Sequence, residues 1–172
     1  MNNFTLFENF DYSVFDDPDY KEDAVREDII TPLLRQLGYQ NVEPYKIIRT
    51  KQLKHPFVYI GSTSNKITIT PDYQLSLDRK IKCVIEVKSP QVKISDKQAL
   101  QQAYNYAIHP EIRAKYYAIC NGRYLEIFDV DKISSVFFHE IKQLSDPAIW
   151  KKLYNRPLAK VVKSTDTRGY EL

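Results

Sequence analysis

Hydrophobic positions in the first third of the chain recur with the spacing of a helix. Ile30, Leu33, Leu34 and Leu37 stand at i, i+3, i+4 and i+7, which predicts an amphipathic helix from about residue 22 to residue 37. Gly38 is a typical residue just past a helix end, and Pro32 is expected to kink or divide the helix.

The middle of the chain alternates between strand and helix signals. Strands are predicted over residues 45–50, 57–60, 66–70, 73–77, 81–87, 116–120 and 123–129, and helices over 95–108 and 147–154. Ser95 with Gln98 forms a capping-box pattern, and Asn121-Gly122 is a strong hairpin signal. These elements predict an α/β or α+β fold, in which a mixed sheet is flanked by helices.

Composition narrows the class of protein. The 172 residues carry a net charge of +3, a length typical of one domain with its own core. No apolar run approaches the ~18 residues of a membrane span. Cys83 and Cys120 lie in apolar stretches without zinc spacing, so we expect a reduced, cytoplasmic protein.

The net charge conceals an asymmetry along the chain. Residues 1–28 hold nine acidic and two basic residues, whereas the remainder has a balance of +10. We interpret residues 1–20 as an acidic arm, 21–155 as the domain, and 156–172 as a basic tail or linker. A basic body is compatible with a polyanionic partner, although an ordinary solvated surface explains the same charge.

Parity along the hairpin of residues 73–87 brings two acids together. Side chains alternate between the faces of a strand, and the even positions of this hairpin are mostly polar. If the turn is centred on Arg79 and the pairing has no bulge, Asp72 faces Glu86 directly. Lys88 follows on the same face.

Two facing carboxylates repel each other unless a cation offsets the repulsion. Mg²⁺ prefers such oxygen ligands, and the Val87 carbonyl could supply another oxygen. Lys88 would then lie beside metal-bound water and a scissile phosphate. The alternative is a half-exposed strand whose Glu-x-Lys is a solvated ion pair.

Three further residues bear on this hypothesis. Glu27 precedes Ile30 by three positions, which places it on the buried stripe of a regular helix, where a carboxylate needs a partner. Gln102 and Tyr106 are i and i+4 on the predicted second helix, so they share a face.

Together these segments resemble a known family. Glu27, Pro71-Asp72, Val84-Ile85-Glu86-Val87-Lys88 and Gln102-Ala-Tyr-Asn-Tyr106 resemble the PD-(D/E)xK nuclease superfamily. More narrowly, the chain is similar to the N-terminal nuclease domain of the type I restriction enzyme R subunit. Its segments Arg26–Tyr39 and Tyr117–Phe128 also resemble the flanking segments of that domain.

The resemblance implies a restriction-endonuclease-like core that binds Mg²⁺, or Mn²⁺ in its place, and cuts DNA. Asp72 and Glu86 would be metal ligands, together with the Val87 carbonyl, and Lys88 the catalytic lysine. Glu27 would be the acid on the first helix that supports the metal site. Gln102 and Tyr106 would help to place DNA or the site's own groups.

One departure from that family keeps a second interpretation open. The R subunit carries an ATP-driven motor, whereas nothing in these residues resembles GxxxxGK(S/T). The chain could act in defence against foreign DNA beside the motor, specificity or methylation subunits of a restriction system. Alternatively, it is a non-catalytic nucleic-acid-binding or assembly module that retains the fold.

Overall fold

A mixed β-sheet lies at the centre of the protein. The computed structural model describes residues 6–55, 59–60, 63–64 and 67–155. The helices are α1 (Glu22–Val25), α2 (Thr31–Gln36), α3 (Lys97–Ala107) and α4 (Pro147–Asn155). The strands are β1 (Tyr45–Arg49), β2 (Leu53–His55), β3 (Tyr59–Ile60), β4 (Thr63–Ser64), β5 (Ile67–Ile69), β6 (Tyr73–Leu77), β7 (Lys80–Val87), β8 (Tyr116–Cys120), β9 (Tyr124–Asp129) and β10 (Ser135–Glu140).

The central sheet has the order β1-β6-β7-β8-β9-β10. All neighbouring strands are antiparallel except β7 and β8, which are parallel. A parallel pair needs a crossover connection, and α3 supplies it while packing against both strands. The carboxyl ends of β7 and β8 therefore meet at the same edge of the sheet.

Helices cover both faces of the sheet. Leu75 of β6 and Ile85 of β7 lie in one core cluster with residues of the first helical segment and α4. On the other face, Val84 packs against alanines of α3. The predicted class, a mixed sheet flanked by helices, is confirmed. Across the described residues, every helix is too short or too polar to cross a bilayer.

The first helical segment is not a regular α-helix. A π-helical turn, Arg26–Ile30, separates α1 from α2, and Pro32 lies in the first turn of α2. The segment is divided as expected, but the boundary is the π-turn before Pro32 and not Pro32 itself. Gly38 follows the end of the segment with φ of 83°. A π-turn spaces its hydrogen bonds by five residues instead of four, so the side chains before it are rotated relative to a regular helix.

The hairpin of β6 and β7 differs from the predicted one in two ways. Asp78 and Arg79 form a two-residue turn with positive φ at both positions, as in type I′ turns. The pairing also shifts register between Leu75 and Ser76, which leaves Lys82 as an extra residue in β7. Beyond this bulge, Tyr73 pairs with Ile85.

The segment before α1 packs against the sheet. Phe15 is buried within the short 3-10 helix Tyr12–Asp16, and its backbone carbonyl accepts a hydrogen bond from Arg123 at 2.6 Å. Arg123 also contacts the carboxylate of Asp16 at 2.6 Å. The boundaries proposed for the arm and domain stay a prediction, and residues 156–172 of the tail lie outside the described residues.

Several local predictions need correction. The N-cap of α3 is Asp96, whose side chain accepts from the backbone N–H of Ala99 at 2.8 Å, and not Ser95. Strands β2, β4 and β10 have no counterpart among the predicted strands. Parts of the predicted strands 57–60 and 66–70 lie outside the described residues.

Candidate active site

Asp72 lies directly before β6, next to the carboxyl end of β7. Its Oδ2 accepts a hydrogen bond from the backbone N–H of Val87 at 2.7 Å. Its Oδ1 accepts from Nη2 of Arg26 at 2.5 Å. Both carboxylate oxygens therefore have protein partners, and the side chain is held at the carboxyl end of β7.

Glu86 stands opposite Asp72. The register that pairs Tyr73 with Ile85 brings the next two positions, Asp72 and Glu86, to face each other. Glu86 is only 3% exposed, so the alternative of a half-exposed strand is wrong. Its Oε1 accepts a hydrogen bond from Lys88 at 2.6 Å, whereas its buried Oε2 has no partner within the described residues.

Burial is the main reason that the pKa of Glu86 rises to about 7. Repulsion from Asp72 raises that pKa further, while the hydrogen bond and positive charge of Lys88 lower it. A buried carboxylate oxygen without a donor is costly for a folded protein. The position therefore favours a cation next to Glu86.

Lys88 lies just beyond β7. Its backbone N–H donates to Cys120 at 2.8 Å, which extends the parallel pairing with β8. Burial opposes the charge on its ammonium group, but Glu86, Glu22 and Asp72 together raise its pKa. Lys88 is therefore a stable cation, and its side chain is 21% exposed.

Arg26 links the first helical segment to this site. Its guanidinium contacts Glu22, one turn earlier, as well as Asp23 at 2.7 Å and Asp72. Burial lowers its pKa, but these carboxylates more than offset that effect. Arg26 thus holds Asp72 from the helix side, and sequence reasoning missed it, although Glu22 and Arg26 have ion-pair spacing on a helix.

The predicted burial of Glu27 is wrong. Glu27 is exposed at the rim of the site, because it lies within the π-turn and the spacing from Ile30 no longer follows a regular helix. Glu22 occupies the inward position instead. Burial raises the pKa of Glu22, and the neighbouring charges that act on it include Asp72 and Lys88.

Gln102 and Tyr106 share one face of α3, as predicted. Nε2 of Gln102 donates to the Tyr106 hydroxyl at 2.6 Å. Burial raises the pKa of Tyr106, and the charges of Glu86, Asp72 and Lys88 also act on it. The crossover helix therefore brings this pair to the carboxylates and the lysine.

The donor set fits a hard cation that keeps most of its water. Within the described residues, no three side chains of the His, Cys, Asp and Glu types cluster closely enough to hold a metal. Mg²⁺ commonly uses only one or two carboxylates and completes its shell with water and phosphate. Asp72 and the unpartnered Oε2 of Glu86 are suitable ligands for such an ion.

A cleft opens beside Asp72. Its volume is about 260 Å³, and it lies between the first helical segment and the end of β1. The lining includes acidic, basic and hydroxyl side chains: Asp23, Arg26, Glu27, Thr31, Arg49, Thr50, Asp72 and Tyr73. A polar groove of this kind leads directly to the carboxylate that Arg26 holds.

The two cysteines and His109 are buried in the structure. Cys83 and Cys120 are buried free thiols, and burial raises the pKa of Cys120 to about 12. His109 is buried, with Nε2 3.0 Å from the Lys54 carbonyl. Because the thiolate is the reactive form of cysteine, deep burial makes both thiols poor nucleophiles.

Comparison with known proteins identifies one structural likeness. No protein-family model and no curated protein matches this chain. Its structure is similar to a fragment assigned as the HsdR subunit of a type I restriction enzyme from Vibrio vulnificus YJ016, with a TM-score of 0.52 and 21% identity. The similarity covers 78% of this chain and 25% of the other.

This likeness concerns the fold. The mixed sheet with its flanking helices is compatible with a restriction-endonuclease-like core. Because the matched region is a quarter of the other chain's length, it concerns only a part of that protein.

Proposed function

We propose that this chain is a metal-dependent DNA endonuclease domain of the PD-(D/E)xK type. The observation that carries the proposal is the pair Asp72 and Glu86 facing each other, with Lys88 bonded to one oxygen of Glu86 and the other oxygen unpartnered. The fold-level likeness to a type I restriction enzyme fragment supports the same class of protein.

The proposed ligands are Asp72, Glu86 and the Val87 carbonyl, with Mg²⁺ as the ion and Mn²⁺ as a substitute. When bound, the ion would lower the pKa of a coordinated water and screen the charge of the phosphate. Glu86 contributes a carboxylate oxygen that needs no displacement of a protein donor. The N–H of Val87 holds the carboxylate of Asp72 in place, facing Glu86.

The remaining residues act on the attacking water and the phosphate. Lys88, a cation at this position, orients the nucleophile and offsets the negative charge that develops at phosphorus. The water oxygen bonds to phosphorus as the bond from phosphorus to the leaving oxygen breaks. The water releases one proton to solvent and the leaving oxygen takes up one proton, so the step is balanced. Glu22 and Arg26 position Asp72 from the helix side. The hydrogen-bonded pair Gln102 and Tyr106 lies on α3, near Glu86, Asp72 and Lys88.

A plasmid-nicking assay with Mg²⁺ tests the proposal. Wild-type protein is expected to convert supercoiled DNA to nicked or linear forms, and Lys88→Ala to lose this activity. Lys80→Ala is the matched control, because Lys80 is an exposed lysine at the other end of the same strand. Equal cutting by wild type and Lys88→Ala would overturn the catalytic assignment.

A non-catalytic nucleic-acid-binding module is the second candidate. The net charge of +10 over residues 29–172 favours it, because lysine and arginine attract phosphates whether or not the protein cuts DNA. This candidate predicts salt-dependent DNA binding without a Mg²⁺ requirement and without cutting. Absence of DNA binding would eliminate it.

The proposed biological context is a restriction system acting against foreign DNA. It is supported by the HsdR assignment of the structurally similar fragment, and it makes motor, specificity or methylation subunits the proposed partners. Co-expression with such subunits, followed by affinity purification and a comparison with the chain expressed alone, tests whether they associate.

A further inference from the structure

Arg49 is a cation that lines the cleft beside Asp72. It ends β1 and pairs in register with Tyr73, the residue that follows Asp72. Its guanidinium carbon lies 5.5 Å from the centroid of the Tyr73 ring, within the range of cation–π contacts. The side chain is exposed, and among the described residues no carboxylate lies within ion-pair distance of it.

The backbone fixes Arg49 relative to the site. The next residue, Thr50, has φ of 45°, which turns the chain sharply at the end of β1. The N–H of Thr50 donates to the carbonyl of Asp72 at 3.4 Å. The backbone next to Arg49 is therefore hydrogen-bonded to Asp72, which is one of the proposed metal ligands.

The charges of the cleft favour a ligand on the Arg49 side. Arg26, the other arginine of the lining, is already bonded to Glu22, Asp23 and Asp72. Asp23 and Glu27 are exposed acids on the helix wall of the cleft. A polyanion would be repelled from that wall and attracted to the unpaired guanidinium opposite.

We propose that Arg49 binds a backbone phosphate of the DNA strand next to the phosphate that is cut, and so positions the strand. A guanidinium that rests one face on an aromatic ring keeps its N–H groups free to contact phosphate oxygens in a bidentate manner. This inference rests on the proposed function. It adds a strand-positioning residue and the direction from which DNA enters the cleft.

Fluorescence anisotropy with a labelled DNA duplex tests the inference, with Ca²⁺ replacing Mg²⁺ to hold the strand uncut. For Arg49→Ala we expect the slope of log affinity against log salt to fall by about 0.9, the value for one lost phosphate contact on B-DNA. Affinity at low salt is expected to fall by about threefold to tenfold. Arg49→Lys keeps the charge, so it is expected to keep the slope while recovering only part of the affinity.

The matched control is Arg79→Ala. Arg79 is an exposed arginine in the β6–β7 turn, at the opposite end of the strands from Asp72. It is expected to leave both slope and affinity unchanged. An unchanged slope for Arg49→Ala, or an equal loss for Arg79→Ala, would overturn the inference.

Cutting measured on the same variants separates this inference from the proposed function. If DNA is in the cleft as proposed, Arg49→Ala raises KM by about the loss in affinity and lowers kcat much less. Wild-type cutting with an unaltered KM in Arg49→Ala would contradict the Arg49 assignment alone. Arg49-dependent binding without wild-type cutting would contradict the nuclease assignment alone, and absence of DNA binding by the wild type would overturn both.

Discussion

The carboxylate of Asp72 accepts a hydrogen bond from the backbone N–H of Val87 at 2.7 Å, at the end of the β6–β7 hairpin opposite its turn. One side chain thus completes the backbone hydrogen bonding of a buried strand and presents a carboxylate to Glu86. Asp72 therefore contributes both to the stability of the fold and to the proposed metal site. Substitutions that separate the two roles are therefore informative.

Asp72→Ala and Asp72→Asn are expected to differ in stability. Alanine leaves the buried N–H of Val87 without an acceptor, which costs about 1–3 kcal/mol of unfolding free energy. Asparagine retains an oxygen that can accept that bond, so its loss is smaller. Both variants are expected to lose Mg²⁺-dependent cutting. Urea unfolding measures the difference, and equal stability of the two variants would contradict the role assigned to the Val87 bond.

The raised pKa of Glu86 predicts a pH-dependent stability in metal-free buffer with EDTA. Because its pKa is about 7 against an ordinary value of 4.5, the folded state binds this proton more tightly than the unfolded state does. The resulting stabilisation is present below pH 4.5 and is lost as pH rises through about 7. The predicted loss between pH 4.5 and pH 8 is roughly 3 kcal/mol.

Glu86→Gln isolates that contribution, since glutamine does not titrate. The variant is expected to gain stability relative to wild type as pH rises through this window, because every other titrating group is common to both proteins. Thermal or urea unfolding at a series of pH values gives the difference curve. A flat difference would show that Glu86 ionises normally in the folded protein.

Glu22→Gln and Glu27→Gln compare the two acids of the first helical segment. Glu22 interacts with Arg26 and lies near Asp72, whereas Glu27 is exposed. We expect Glu22→Gln to reduce the cutting rate by about tenfold or more, as residues that orient metal ligands do. Glu27→Gln is expected to change it by less than about twofold. The opposite order would restore the role that the family resemblance implies for Glu27.

Tyr106→Phe tests the contribution of α3 to the site. The change removes the hydroxyl that accepts from Gln102 at 2.6 Å, while the ring stays packed. We expect slower cutting and a stability loss of about 1 kcal/mol. Tyr104→Phe is the matched control, since Tyr104 lies on the same helix but packs against Tyr117 of β8. Equal cutting by both variants would remove the Tyr106 hydroxyl from the site.

Alternation of side chains along strands was enough to place Asp72 opposite Glu86. The pairing assumed a turn centred on Arg79 without a bulge, whereas the structure has a two-residue turn and one extra residue, Lys82, in β7. The two differences cancel. The pairing survived because the two turn residues and the one bulge residue together leave three residues unpaired, the same number as the assumed turn of three residues.

The helix contribution was harder to predict. A regular period of 3.6 residues places Glu27 over Ile30, but the π-turn changes the phase and exposes it. Nothing in a hydrophobic pattern reveals a single π-turn, because the buried positions on either side still recur plausibly. The ion pairs of Arg26 with Asp72 were likewise inaccessible, since 46 positions separate the two residues in sequence.

The bulge at Lys82 also has a consequence for how this hairpin tolerates changes in length. Its extra residue lies between the turn and Glu86, so this part of β7 is one residue longer than regular pairing with β6 requires. Deleting Lys82 would remove the bulge and preserve the pairing of Asp72 with Glu86. Length variation among natural relatives should therefore accumulate on the turn side of this point, while the spacing from Cys83 to Lys88 stays invariant.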